Sequence, residues 1–242
     1  MEFPWWKKVC AFCIHLYTAS GAIWGLLALD AIFTNNNQAA YLYMMLAVFI
    51  DGTDGPLARK CNVREVTPSL DGALLDNIVD YLNWTFVPIV LLWYSDWLPE
   101  PKGLLCSIAQ LTSLYAFCQT SAKNKKEAMF RGFPSYWNFF VIYVALGLHT
   151  FGQWTVALIT LFLSAMSVLP IYFIYPNRLK RYRMLHYVFG GLWFFSFVGM
   201  LFYYPNIPSP LFYFSLAYPI FYIIHSFIKN IEMNRQDVAL EP

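Results

Sequence analysis

Four aspartates occupy one short stretch of the chain in two pairs. The stretch reads Asp51-Gly-Thr-Asp54-Gly55-Pro-Leu-Ala58-Arg59, then twelve residues, then Gly72-Ala-Leu-Leu-Asp76-Asn-Ile-Val-Asp80. On a helix Asp51 and Asp54 are three apart and share a face, which Gly55, Ala58 and Arg59 extend. Gly72, Asp76 and Asp80 recur every four residues and stack along one stripe. If the two helices face each other, four carboxylates meet. Close carboxylates repel and resist ionisation unless cations neutralise them, so the pattern points to metal. A ligand set made only of oxygen favours Mg²⁺ or Mn²⁺ over zinc or copper. Two such ions can bridge the oxygens of a diphosphate and stabilise both the attacking and the leaving group of an in-line displacement. Gly55 and Gly72 leave room for a nucleotide or phosphate close to the backbone, and Arg59 offers a positive fork to phosphate or to a neighbouring aspartate. Read more plainly, these small residues would serve helix packing.

The elements that must position these acids are membrane helices. Of 242 residues, 59% are apolar, 20% aromatic and only 12% charged, whereas ordinary globular chains are roughly 45–50% apolar. Apolar stretches near residues 9–33, 41–57, 70–94, 104–120, 139–151, 156–175, 187–204 and 211–228 predict an all-α bundle with about eight transmembrane helices. The fifth extends backward toward 136–138, and Pro88, Pro170 and Pro219 mark possible kinks. No repeat or long linker divides the chain, so residues 1–242 are expected to form a single membrane domain. A carboxylate in hydrocarbon costs about 3 kcal/mol or more, so acids inside spans point to function.

Lys and Arg collect on the cytoplasmic side of short loops. Here Lys7 and Lys8, then Arg59, Lys60 and Arg64, then Lys123, Lys125, Lys126 and Arg131 fall on one side. Arg178, Lys180, Arg181 and Arg183, with Lys229 and Arg235, continue the series, and Lys102 stands alone on the other. Both termini and the four aspartates are thereby placed at the cytoplasmic face. The net charge of +2 fits contact with membrane lipids and not nucleic acid. Five scattered cysteines predict no disulfide, with Cys10 and Cys13 read as small buried hydrophobes. The histidines His15, His149, His186 and His225 have no spacing that suggests chemistry.

The aspartate stretch resembles the signature of the CDP-alcohol phosphatidyltransferase family, Asp-x2-Asp-Gly-x2-Ala-Arg, a spacer, then Gly-x3-Asp-x3-Asp, with every fixed position matched. The resemblance implies that Asp51, Asp54 and Asp76 hold metal. It further implies that Asp80 holds the second metal and takes the acceptor's proton, while Gly55, Ala58, Arg59 and Gly72 meet the CDP-lipid. Ser69 matches a phosphate-contacting hydroxyl of that family, or else caps the helix that follows Pro68. Asp71 is read as a first-turn acid favoured by the helix dipole, not a ligand.

The twelve-residue spacer is longer than the family's usual one, and with eight spans it looks like the bacterial phosphatidylcholine synthase branch. Gly132-Phe133-Pro134-Ser135-Tyr136-Trp137-Asn138 is similar to a segment shared by phosphatidylserine and phosphatidylcholine synthases. A choline acceptor needs aromatic faces around its quaternary ammonium. Tyr81, Trp84, Tyr136 and Trp137 are nearest in register, with Ser135 and Asn138 beside them. The resemblance thus implies transfer from CDP-diacylglycerol to choline, by a homodimer in the bacterial inner membrane whose active site faces the cytoplasm. Serine as acceptor is the nearest alternative. A metal or metabolite transporter is the distant one, disfavoured because no polar residues are read as continuing along the second and third spans.

Overall fold

The computed structural model describes residues 3–119, 123–124, 129–176, 179 and 182–240. They fall into two compact units, Met1–Ser95 with Trp137–Ile142, and Asp96–Tyr136 with Tyr143–Pro242.

In the first unit, α1 (Trp5–Phe33) packs on α2 (Asn37–Lys60), and a short α3 (Val63–Val66) leads to α4 (Gly72–Asp80). A π-helical stretch (Tyr81–Phe86) continues into α5 (Val87–Tyr94). The packed face of α1 is a stripe of mostly small residues: Ala11, Ile14, His15, Thr18, Gly21, Gly25 and Ala28. Such a stripe lets helix backbones come close. A Cβ at Gly21 would stand 2.6 Å from Val79 Cγ1, and one at Gly25 would stand 2.8 Å from Asn83 Oδ1. The opposite face of α1 exposes Trp5, Val9, Phe12, Leu16, Ile23 and Leu26, as a lipid-facing helix does.

Several helix ends in this unit have a local cause. The Asn36 side chain accepts from Ala39 N–H and starts α2. α2 closes with Arg59 and Lys60 in its last turn, where cations suit the helix dipole. Asn62 follows in the left-handed region (φ 50°) and turns the chain. Asp71 caps α4, its carboxylate accepting from Ala73 and Leu74 N–H at 3.1 and 3.0 Å. This corrects two expectations, since Asp71 precedes the first turn and Ser69 does not cap the helix. The π-helical stretch ends just before Pro88, which has no N–H for the carbonyl of Trp84.

The second unit contains α6 (Lys102–Cys118), β1 (Lys123–Asn124), β2 (Met129–Arg131), α8 (Gln153–Val168), β3 (Tyr172–Ile174), α9 (Arg183–Tyr203) and α10 (Ser209–Leu240). α7 (Trp137–Leu146) is shared, with Trp137–Ile142 in the first unit. The three strands pair antiparallel in the order β1-β2-β3, so the chain is nearly, not wholly, all-α. Residues 156–175 do not make one helix either. Leu169 turns extended (ψ 149°) ahead of Pro170, because a proline disfavours the α region for the residue before it. Tyr143 Oη donates to Ser215 O (2.9 Å) and accepts from Trp193 Nε1 (2.8 Å).

Among the described residues, three helices are long and apolar enough to cross a membrane: Trp5–Phe33, Arg183–Tyr203 and Ser209–Met233, with Trp137–Leu146 and Gln153–Val168 apolar but shorter. All five cysteines are free, and Cys10 and Cys13 are exposed rather than buried, with Cys10 Sγ 3.5 Å from Cys61 Sγ.

Candidate active site

Asp51 and Asp54 lie in the second half of α2, and Asp76 and Asp80 lie on α4. Asp51, Asp76 and Asp80 each turn a carboxylate oxygen to within 4.8 Å of the others. Asp54 stands outside that trio but lines the same small cavity, with room for about one water-sized sphere, together with Thr18, Ile50, Val79, Asn83 and Trp84. Asp54 is 4% exposed and accepts a hydrogen bond from the Thr18 hydroxyl. Three half-buried acids this close repel strongly in a medium of low dielectric, so the arrangement calls for a cation. The donors are all carboxylate oxygen, which fits a hard divalent ion.

A cleft of about 630 Å³ opens beside this cavity, large enough for a nucleotide. Asp54 and Asp76 line both spaces. Gly55, Ala58, Arg59, Arg64 and Gly72 line the cleft as well. Gly55 has its own reason to be small: a Cβ there would stand 3.3 Å from Arg59 Nη1, so the missing side chain lets the guanidinium fold back along α2. Ser69 is exposed, between Pro68 and Leu70, while those two neighbours line the cleft.

Trp84 lines the acid cavity and meets Phe139 edge-on at 5.6 Å, and Tyr81 is half-buried one residue beyond Asp80. Trp137 and Asn138 are wholly buried in the first unit, and Asn138 Oδ1 accepts from Phe139 N–H at 2.8 Å. Ser135 and Tyr136 belong to the second unit, where Ser135 adopts φ 55° and Tyr136 meets Phe133 edge-on. Upstream, Gly132 has φ 84° and a Cβ would stand 2.7 Å from the Ser167 carbonyl, which explains the glycine.

Sequence reasoning missed three residues. Thr18 and His15 line the site from α1. Asn83 is a buried polar residue in the third apolar stretch, contrary to the reading that no polar residues continue there. Its amide is committed to Gly21 O (3.0 Å) and Val79 O (3.1 Å), so it ties helices together and opens no path.

A family model of CDP-alcohol phosphatidyltransferase matches residues 10–171. The chain belongs to the CDP-alcohol phosphatidyltransferase family. The matched range takes in both aspartate segments, the α1 residues beside them and the Gly132–Asn138 segment. Among curated relatives of this phosphatidyltransferase, a phosphatidylcholine synthase of Borreliella burgdorferi is 38% identical over 73% of the chain and 75% of its own length. One of Pseudomonas aeruginosa is 36% identical over 78% of the chain and 79% of its own length. One of Legionella pneumophila is 35% identical over 91% of the chain and 88% of its own length.

Proposed function

We propose that this phosphatidyltransferase moves the phosphatidyl group of CDP-diacylglycerol onto choline, giving phosphatidylcholine and CMP. The reaction type is carried by one observation, the carboxylate oxygens of Asp51, Asp76 and Asp80 gathered within 4.8 Å at the edge of a nucleotide-sized cleft. Choline as acceptor is supported by the phosphatidylcholine synthases that share most of the chain.

In this reading Asp51, Asp54, Asp76 and Asp80 hold two divalent ions, Mg²⁺ or Mn²⁺. When bound, such ions supply charge neutralisation of the diphosphate. Arg59 holds the lipid nucleotide's phosphates, with Gly55, Ala58 and Gly72 giving them room, and Ser69 nearby. Asp80 accepts the proton of choline's hydroxyl as that oxygen bonds to the phosphorus nearest the diacylglycerol. The bond from that phosphorus to the CMP oxygen breaks, and CMP leaves. Trp84, beside the acids, offers an aromatic face to the quaternary ammonium, with Tyr81, Trp137 and Asn138 of the same unit as further acceptor candidates.

The whole chain acts as one membrane domain of about eight spans in a bacterial inner membrane, as a homodimer, with both termini and the acids at the cytoplasmic face. Its charge pattern supports that orientation. Purified protein is expected to release CMP from CDP-diacylglycerol only when choline and Mg²⁺ or Mn²⁺ are both present. Asp80→Asn is expected to lower kcat by about 10²–10⁴, and full activity in that variant would remove Asp80 as base. Labelled choline, and not labelled serine, is expected in the lipid product; the reverse result would reassign the acceptor.

A further inference from the structure

His15 lies outside the aspartate signature, yet it stands in the wall of the cleft with Arg59 and Gly72. Its Nε2 is 2.9 Å from Thr67 Oγ1. The same Thr67 hydroxyl donates to the Val63 carbonyl at 2.9 Å. A hydroxyl has one hydrogen to give. With that hydrogen on Val63, the imidazole must be the donor, so Nε2 carries the hydrogen. His15 is 6% exposed and has no carboxylate partner among the described residues, and a buried ring without such a partner stays neutral. Nδ1 is therefore a bare acceptor, and it has no hydrogen-bond partner among the described residues. It lies 3.4 Å from where a Cβ on residue 72 would sit, and His15 Cε1 lies at 2.9 Å. The absence of a side chain at Gly72 is what keeps this edge of the ring clear.

A bare nitrogen acceptor repels phosphate oxygens, and the phosphates have Arg59 and Arg64 in the same cleft. The diacylglycerol half of the donor lipid has no N–H or O–H to give. Its nucleoside has both, on the cytosine amino group and the ribose hydroxyls. Position agrees with chemistry. Thr18, which hydrogen-bonds Asp54, is three residues further along α1, about 4.5 Å down the helix axis. His15 is thus about one turn along α1 from the residue that touches Asp54, on the same buried face of that helix.

We propose that His15 Nδ1 accepts a hydrogen bond from the nucleoside of the bound donor, from its base amino group or its ribose 2′-hydroxyl, and so positions the nucleotide against the acids. The proposal rests on the reading of the cleft as the CDP-diacylglycerol site.

The test uses the full-length protein in detergent–lipid micelles, with CMP release read against donor concentration. A glutamine amide can reach the position of Nε2 and keep the Thr67 tether, whereas an asparagine amide occupies the position of Nδ1 and can present an acceptor there. His15→Ala and His15→Gln are expected to raise KM for CDP-diacylglycerol roughly tenfold, the size of one lost hydrogen bond, with kcat moved much less. His15→Asn is expected to recover most of that loss. If Gln restores KM and Asn does not, or if KM is unmoved in His15→Ala, the nucleoside contact is overturned.

UDP-diacylglycerol and dCDP-diacylglycerol separate the two sources. A preference for CDP over UDP that narrows in His15→Ala assigns the base amino group. A preference for CDP over dCDP that narrows assigns the ribose 2′-hydroxyl. If neither narrows, the contact is refuted. Wild-type protein that releases no CMP at all would instead refute the donor reading, and that result is distinct from active wild type with an indifferent His15.

Discussion

Gly72 and Gly55 sit four residues from an acid or an arginine of the signature, and each is small for a different neighbour. A methyl at Gly72 would meet His15 Cε1 at 2.9 Å, a ring held in place by Thr67. A methyl at Gly55 would meet only the far end of Arg59 at 3.3 Å, which can swing away. Gly72→Ala is therefore expected to lower kcat/KM for the donor by about tenfold or more, at about 1–3 kcal/mol of local overpacking. Gly55→Ala is expected to change it by less, and kinetics of the two purified variants side by side check the ranking. Spacing alone made the acids legible, because residues three or four apart on a helix share a face whatever the tertiary fold. It could not reveal His15 or Asn83, whose partners Thr67 and Gly21 stand 52 and 62 positions away. It also paired Asp54 with the other three acids, whereas burial beside Thr18 sets Asp54 apart from the close trio.

At the scale of elements, the acids are brought together by the fit of α1 against α4 as much as by α2. Gly21 makes that fit possible, since a Cβ would stand 2.6 Å from Val79 Cγ1 one residue before Asp80. Gly21→Ala is expected to destabilise the protein by about 1–3 kcal/mol. Pairing it with Val79→Ala is expected to restore much of the loss, as contacting positions couple. Gly52 is the control, with nothing within 4 Å of a Cβ. Gly52→Ala is expected to leave the melting temperature unchanged or raise it, since alanine favours helix by about 0.5–1 kcal/mol. Thermal melts in detergent read all three, and equal losses at Gly21 and Gly52 would remove the packing argument. The existence of these helices was legible from apolar runs, but some of their ends were not. Tyr172-Phe-Ile174 is apolar and fits a helix or a strand equally by pattern, so only its pairing with Met129–Arg131 decides for strand. The long spacer likewise hid α3, whose Val63 and Val66 pack against Ala11 and Ile14 and carry Thr67 to His15.

At the scale of the whole molecule, composition foretells a surface that water cannot cover, and exposed Phe12, Leu26, Leu158, Phe195 and Phe202 bear this out. The number of spans is less direct. α2 carries Asp51, Asp54, Arg59 and Lys60 within its length, and the third apolar stretch is broken into α4, a π-helical stretch and α5, so neither stands out by length and apolarity as α1, α9 and α10 do. The division into two units was not legible at all, because it runs through the uninterrupted apolar helix α7. What sequence does supply is charge asymmetry, and the proposed eight-span topology turns on one residue. Lys102 begins α6 and pairs with Asp96 at 3.4 Å, whereas Lys7 begins the chain's first helix beside Trp6. In a protein whose five cysteines are replaced by serine, a membrane-impermeant maleimide added to intact spheroplasts is expected to label Lys102→Cys. Lys7→Cys and Lys229→Cys are expected to react only after the membrane is opened. Labelling of Lys7 and Lys102 from the same side would require an even number of crossings before α6, and would refute the eight-span topology.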